Sequence, residues 1–294
     1  MLNPYRILKI EKGGEIAMKA GFIGMGDIGL PMAKNVVKKG FETYVTGHVR
    51  RQPIEEMVAL GAKECATAKE VGENVDAVLI MVQNDKQADE VIFGHNGLME
   101  GLKNDSGIIL MGTFAPSFCR KVADAGKPKS IDVLDAPVVG ARMGAEAGTL
   151  GISVGGDKDA VEKYRALIET MGTITYCGEL GMGQIVKLAN NICATINSWV
   201  LAEAINWGIR NGASEEMLVK HIQGGSGGSF IATNYQWIKT MWTDPPPPTY
   251  YVGAKDMSHV LDIGLDLRQP CPFTALACEL LKGPPPKIFE SADG

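Results

Sequence analysis

The chain has 294 residues, 45% of them hydrophobic and 21% charged, with a formal net charge of −5. That balance suits a folded globular protein of one large or two average domains, and it argues against a nucleic-acid binder, which needs clustered Lys and Arg. No apolar run approaches the ~20 residues of a membrane helix, and six dispersed cysteines without a CxxC pair argue against a disulfide framework or a structural metal.

Residues 1–17 carry Lys9, Glu11, Lys12 and Glu15 and lack the apolar core of a secretion signal. They read as a disordered leader or a vector remnant, with Met18 as the alternative natural start. From there, short β-rich runs alternate with amphipathic ones. Strands are expected at Lys19–Gly24, Thr43–Thr46, Ala77–Met81, Gly107–Met111, Ile131–Leu134, Ile152–Val154 and Thr173–Tyr176. Helical stretches such as Ile28–Lys39, Ile54–Leu60 and Lys158–Met171 lie between them. Two of the strands, AVLIM and GIILM, are apolar throughout, as a parallel sheet covered on both faces requires.

After Gly181 no strand pattern remains. Gln184–Arg210 is a long helical run, apolar nearly all round and expected to be mostly buried. Glu215–Ile222, Phe230–Met241, Ala254–Leu267 and Thr274–Leu281 follow, with Pro245–Pro248 and Pro284–Pro286 as stiff punctuation. The expected fold is therefore α/β. A doubly wound Rossmann sheet over 18–180 precedes an all-α domain over 181–294, joined by a long interdomain helix.

The segment GFIGMGDIGLPMAKN sets Gly24, Gly26 and Gly29 in GxGxxG spacing between an apolar strand and an amphipathic helix. In that context the loop Gly24, Met25, Gly26, Asp27, Ile28 and Gly29 reads as a dinucleotide cradle. Gly24 serves the tight turn, Gly26 the approach of a pyrophosphate, and Gly29 the close packing of helix on strand. The second strand ends in YVTGHVRRQP, with His48, Arg50 and Arg51 where an NAD site usually has an acid. A guanidinium grips a 2′-phosphate bidentately, so NADP is favoured over NAD, solvated surface arginines being the alternative.

From Met18 onward the chain resembles the β-hydroxyacid dehydrogenases, the group of 3-hydroxyisobutyrate dehydrogenase, tartronate semialdehyde reductase and glyoxylate or succinic semialdehyde reductases. The likeness rests on the glycine loop, on DAPVVGARMGAEAGTL (Asp135–Leu150), on GMGQIVKLANN (Gly181–Asn191) and on AKDM (Ala254–Met257). The resemblance implies Lys187 as catalytic acid/base with Asn191 as its helper. It also implies Thr113, Val82, Gln83 and Lys255 along the cofactor, with Asp256 near the substrate. Independently of it, Lys187 and Asn191 stand at i and i+4 of an apolar helix and share a face, where desolvation would lower an ammonium's pKa toward the range useful for proton transfer. A lysine snorkelling to water is the bland alternative.

The substrate block departs from the pattern. Val139, Gly140 and Ala141 replace the usual Ser-Gly-Gly, which removes a hydroxyl donor toward a substrate carboxylate; Arg142 is a candidate to compensate. The turn GGSGGSF (Gly224–Phe230) lacks the arginine of the family's corresponding turn, and the chain ends soon after Pro286, as if the last helix were truncated or replaced. The expectation is a cytoplasmic oxidoreductase that moves hydride between NADP(H) and a small hydroxy acid or its aldehyde. It is expected to have no metal, no nucleic acid or membrane partner, and a homodimeric or homotetrameric assembly. An imine reductase-like enzyme and a non-catalytic cofactor-binding protein of the same fold are the competing readings, and Lys187 argues against both.

Overall fold

The computed structural model describes residues 18–47, 50–243, 246, 250 and 252–288. They form two compact units, which divide after Lys187. The leader expected over 1–17 and His48 lie outside the described residues.

The first unit opens with β1 (Lys19–Ile23), α1 (Gly29–Lys38), β2 (Glu42–Thr46), α2 (Gln52–Ala59), β3 (Lys63–Cys65) and α3 (Ala68–Asn74). It continues through β4 (Ala77–Ile80), α4 (Asp85–Phe93), α5 (Leu98–Gly101), β5 (Gly107–Leu110), α6 (Pro116–Gly126) and β6 (Asp132–Asp135). It is completed by β7 (Val138–Val139), α7 (Ala141–Ala147), β8 (Leu150–Gly155), α8 (Lys158–Ile168) and β9 (Gly172–Gly178). The sheet runs β3-β2-β1-β4-β5-β6-β8-β7, with β9 beside β8. The first six strands are parallel, and β8 turns antiparallel to both β6 and β7. Strand order reverses between β1 and β4, and in an open α/β sheet the crevice at that reversal is where ligands bind.

The apolar strands are explained by their two faces. Ala77 and Leu79 of β4 and Ile109 of β5 belong to one core cluster, while Val78, Ile80, Ile108 and Leu110 belong to the other. Successive side chains point to opposite faces, so a strand sandwiched between helix layers has no solvated side on which to carry polar residues. Two strands escape the sequence reading. In β3 two of three residues are exposed, and β7 is only a residue pair, so neither has an apolar run to betray it.

The second unit holds α10 (Glu215–Gly224), α11 (Phe230–Thr233), α12 (Tyr235–Lys239), α13 (Val252–Leu267) and α14 (Pro272–Leu280). They follow α9 (Met182–Arg210), within which the division between the units falls. The single helix expected over Phe230–Met241 is two short ones, interrupted at Asn234, whose side chain donates back to the Phe230 carbonyl at 2.9 Å. The helix α9 is unevenly exposed. It buries Leu201, Ala202, Ile205 and Ile209 in the core of the helical unit, but Trp207 is 70% and Val200 58% exposed. No helix among the described residues is long and apolar enough to cross a membrane.

Candidate active site

The turn after β1 is shaped by what its glycines exclude. Gly24 sits at φ +100°, and a Cβ there would lie 2.2 Å from the Met81 carbonyl oxygen at the end of β4. A Cβ on Gly29 would lie 1.9 Å from the Gly24 carbonyl oxygen, so the helix meets the turn with no room for a side chain. A Cβ on Gly26 would meet nothing within 4 Å, so this side of the backbone is open to a ligand. No side chain caps the N-terminus of α1 and no acid stands in its first turn, so its N–H groups and positive dipole end suit an anion. The buried Met25 and half-buried Ile28 anchor this turn against the sheet, and Asp27 is exposed at its tip. Val82 lies beside Gly24, and the Gln83 N–H donates to the Gln87 side chain at 3.0 Å.

A cleft of about 440 Å³ runs along the outer face of α1 from this turn, lined by Gly26, Asp27, Lys34, Arg50, Glu56 and Arg142 among others. Its cations differ in commitment. Lys34 is paired with Glu56 at 2.5 Å and Arg142 with Glu146 at 2.7 Å. Arg51, which does not line the cleft, grips Glu64 with two guanidinium nitrogens and lies 3.5 Å from Glu55. Arg50 is exposed and carries no ion pair among the described residues.

At the sheet's opposite flank, two buried polar side chains fasten the start of α9. Asp135, at the end of β6, accepts the Gly181 N–H at 2.6 Å and the Gln184 N–H at 2.7 Å. Burial pushes its carboxyl up, although these N–H donors pull the other way. Gln184 accepts the Phe114 N–H at 3.0 Å through Oε1 and donates to the Gly112 carbonyl at 3.0 Å through Nε2. Thr113 stands between those two bonded residues. Lys187 follows Gln184 by one turn of α9 and is half-buried. The sequence reading assigned no role to Asp135 or Gln184. The available signal was an acid closing an apolar strand, followed downstream by an amide on an apolar helix.

Within the helical unit, Asn191 donates to Asp256 Oδ2 at 2.6 Å, and Lys255 Nζ pairs with Asp256 Oδ1 at 2.9 Å. Asp256 is 4% exposed; its Oδ2 carries the hydrogen bond and its Oδ1 only the ion pair. These residues, far apart in sequence, form one cluster on α9 and α13.

The segment after β7 turns sharply. Val139 is half-buried, Gly140 takes φ +121° and Ala141, the first residue of α7, takes φ +53°. The two successive positive φ values re-aim the backbone N–H groups of this turn.

Residues 19–180 match the model of the NAD binding domain of 6-phosphogluconate dehydrogenase, and 181–289 match the NAD-binding domain of NADP-dependent 3-hydroxyisobutyrate dehydrogenase. The 2-hydroxy-3-oxopropionate reductase of Escherichia coli is 35% identical over 90% of this chain and 90% of its own. The NAD-dependent L-serine dehydrogenase of Pseudomonas aeruginosa is 32% identical over 83% of this chain and 82% of its own. Among solved structures, 3-hydroxyisobutyrate dehydrogenase from Salmonella typhimurium superposes with a TM-score of 0.81 at 23% identity, covering 90% of this chain and 93% of that one.

Proposed function

The chain belongs to the β-hydroxyacid dehydrogenase family of NAD(P)-dependent enzymes acting on CH–OH groups, and from that premise we propose that it interconverts a small β-hydroxy acid and its semialdehyde with NADP(H), Lys187 serving as acid/base. The observation that carries the reading is the fastening of the first turn of α9 to the ends of β5 and β6, which holds Lys187 one turn beyond a strand end bearing Thr113.

The residues present fit a bound dinucleotide. The open backbone at Gly26 and the uncapped α1 terminus suit a pyrophosphate, and Arg50, with no ion pair among the described residues, offers a guanidinium for a 2′-phosphate. Arg142, expected at the substrate, lines the same cleft as Arg50, and we assign it to the cofactor's charge rather than to the substrate. When bound, the nicotinamide supplies or accepts the hydride. The lysine ammonium gives its proton to the substrate oxygen during carbonyl reduction and recovers it in the reverse direction. Asn191, whose amide donates to Asp256, serves as the helper of Lys187 one turn further along α9, and Lys255 pairs with the other oxygen of Asp256. Gly140 and Ala141 offer backbone N–H groups to the substrate carboxylate, while Val139 presents methyl groups where relatives carry a hydroxyl.

Six cysteines that are all free thiols support a reducing, cytoplasmic setting. The exposed apolar face of α9 supports a homodimer or homotetramer. Mixing the purified protein with NADPH or NADH and a panel of semialdehydes, followed at the cofactor absorbance, tests the whole reading. Absence of turnover with every aldehyde acid would overturn it.

A further inference from the structure

We infer that Gln184 is a positioning residue for the reaction, setting the distance between the strand end at Thr113 and the Lys187 ammonium; this rests on the reading of Lys187 as the acid/base. The chemistry of the contact admits few substitutes. The Phe114 N–H needs an acceptor and the Gly112 carbonyl needs a donor, and both point at one side chain with no exposed surface. A carboxamide supplies an acceptor and a donor from adjacent atoms, whereas a carboxylate would set oxygen against the Gly112 oxygen and an alkyl chain would satisfy neither.

The backbone of Gln184 is pinned in turn by Asp135. One residue therefore couples the end of β5, the end of β6 and the first turn of α9. Thr113 lies between the two bonded residues, and Lys187 lies about 4.5 Å further along the helix axis at 1.5 Å per residue. With the clamp removed, α9 can shift against the strand end while the glycine loop remains as it was. The loss should fall on kcat rather than on cofactor affinity.

The experiment compares wild type, Gln184→Ala, Gln184→Glu and Lys187→Ala for kcat, for NADPH Kd by fluorescence titration, and across pH. Gln184→Ala is expected to lower kcat by about 10- to 100-fold, the scale of a misplacement near 1 Å, with Kd within about threefold of wild type. Gln184→Glu is expected to lose kcat at alkaline pH and recover it relative to wild type as the pH falls. Protonation restores a donor to the Gly112 carbonyl while the second oxygen keeps the Phe114 bond. A simple packing role would give no such recovery of kcat. If Gln184→Ala does not fold, the pH-dependent ratio of Gln184→Glu to wild type decides. A Gln184→Ala kcat within about twofold of wild type, or a Gln184→Glu ratio flat with pH, overturns the inference. Lys187→Ala separates the two claims. If it is inactive while Gln184→Ala is fully active, only the clamp fails; if it is itself active, the lysine reading fails and the clamp with it.

Discussion

Arg51 and Glu64 form a two-pronged ion pair between the first residues of α2 and the edge strand β3. The pairing raises the guanidinium's pKa and lowers that of the carboxylate, through hydrogen bonds first and charge second. Arg51 is thereby engaged, and its neighbour Arg50 is left facing the cleft of the glycine loop. Wild type is expected to bind NADPH more tightly than NADH, and Arg50→Ala to lose most of that preference. One or two charge-assisted hydrogen bonds correspond to about 10- to 100-fold in Kd. Arg51→Ala should change the preference far less. Titration of both cofactors against the three proteins checks it; equal affinities in wild type, or tighter NADH, would sink the assignment.

On the proposed reading, in which the phosphates are anchored by the glycine loop and the lysine acts only on the reacting oxygen, Lys187→Ala should abolish turnover and leave NADPH binding nearly intact. General acid–base groups contribute about 10²–10⁴-fold. A variant that keeps more than roughly a tenth of wild-type kcat on its best substrate would mean that another group transfers the proton.

Ala141 is a non-glycine residue at φ +53°, directly after Gly140 at φ +121°. An L-residue in that region is strained by about 1–2 kcal/mol, part of which a glycine would return as greater freedom of the unfolded chain. Ala141→Gly is therefore expected to stabilise the fold by up to about 1 kcal/mol, read as a higher urea midpoint with an unchanged slope. A lower midpoint would show that the turn carries no such strain.

The exposed side of α9 makes a quantitative statement about assembly. Trp207, Phe273 and Leu276 are 70%, 70% and 59% exposed and share a groove of about 640 Å³ with Trp199 and Leu280. Patches of that kind mark association surfaces. Sedimentation should find at least a dimer at micromolar concentration, and Trp207→Glu should shift it toward monomer. A wild-type monomer at that concentration would contradict the expectation.

The fold was legible wherever burial forces a periodic pattern. The strands AVLI and GIIL and the amphipathic α1 and α8 declare themselves because each buries fixed positions. The pair Val138–Val139 and the exposed β3 do not, because their pairing is decided by partners elsewhere in the chain. In the same way, an amide on an apolar helix and an acid closing an apolar strand are only weak local marks of Gln184, whose two partners lie 70 and 72 residues away, and of Asp135, whose partners lie 46 and 49 away. The partial exposure of α9 within one chain accords with its pattern: a helix apolar on so many sides exceeds what one small helical unit covers. The glycine loop and the Lys187 block, in contrast, are contiguous motifs: the loop is marked by local backbone requirements, the Lys187 block by its family resemblance.

On the proposed reading, Val139 is expected to bear on which substrate the protein takes. It is half-buried at the end of β7, immediately before the turn at Gly140 and Ala141. A serine there would donate to a carboxylate oxygen; valine leaves that oxygen to backbone N–H groups and solvent, and its methyl groups favour an apolar substituent. One hydrogen bond to a charged group is worth about 1.5–3 kcal/mol, or roughly 10- to 100-fold in kcat/KM. Val139→Ser should accordingly raise kcat/KM for compact acids such as succinic or tartronic semialdehyde, and lower it for a bulkier or less polar aldehyde that wild type prefers. The two proteins are to be compared across a size-graded panel of aldehyde acids and neutral aldehydes. If wild type already turns over the compact acids as efficiently as the serine variant, the backbone donors suffice and Val139 does not set the substrate class.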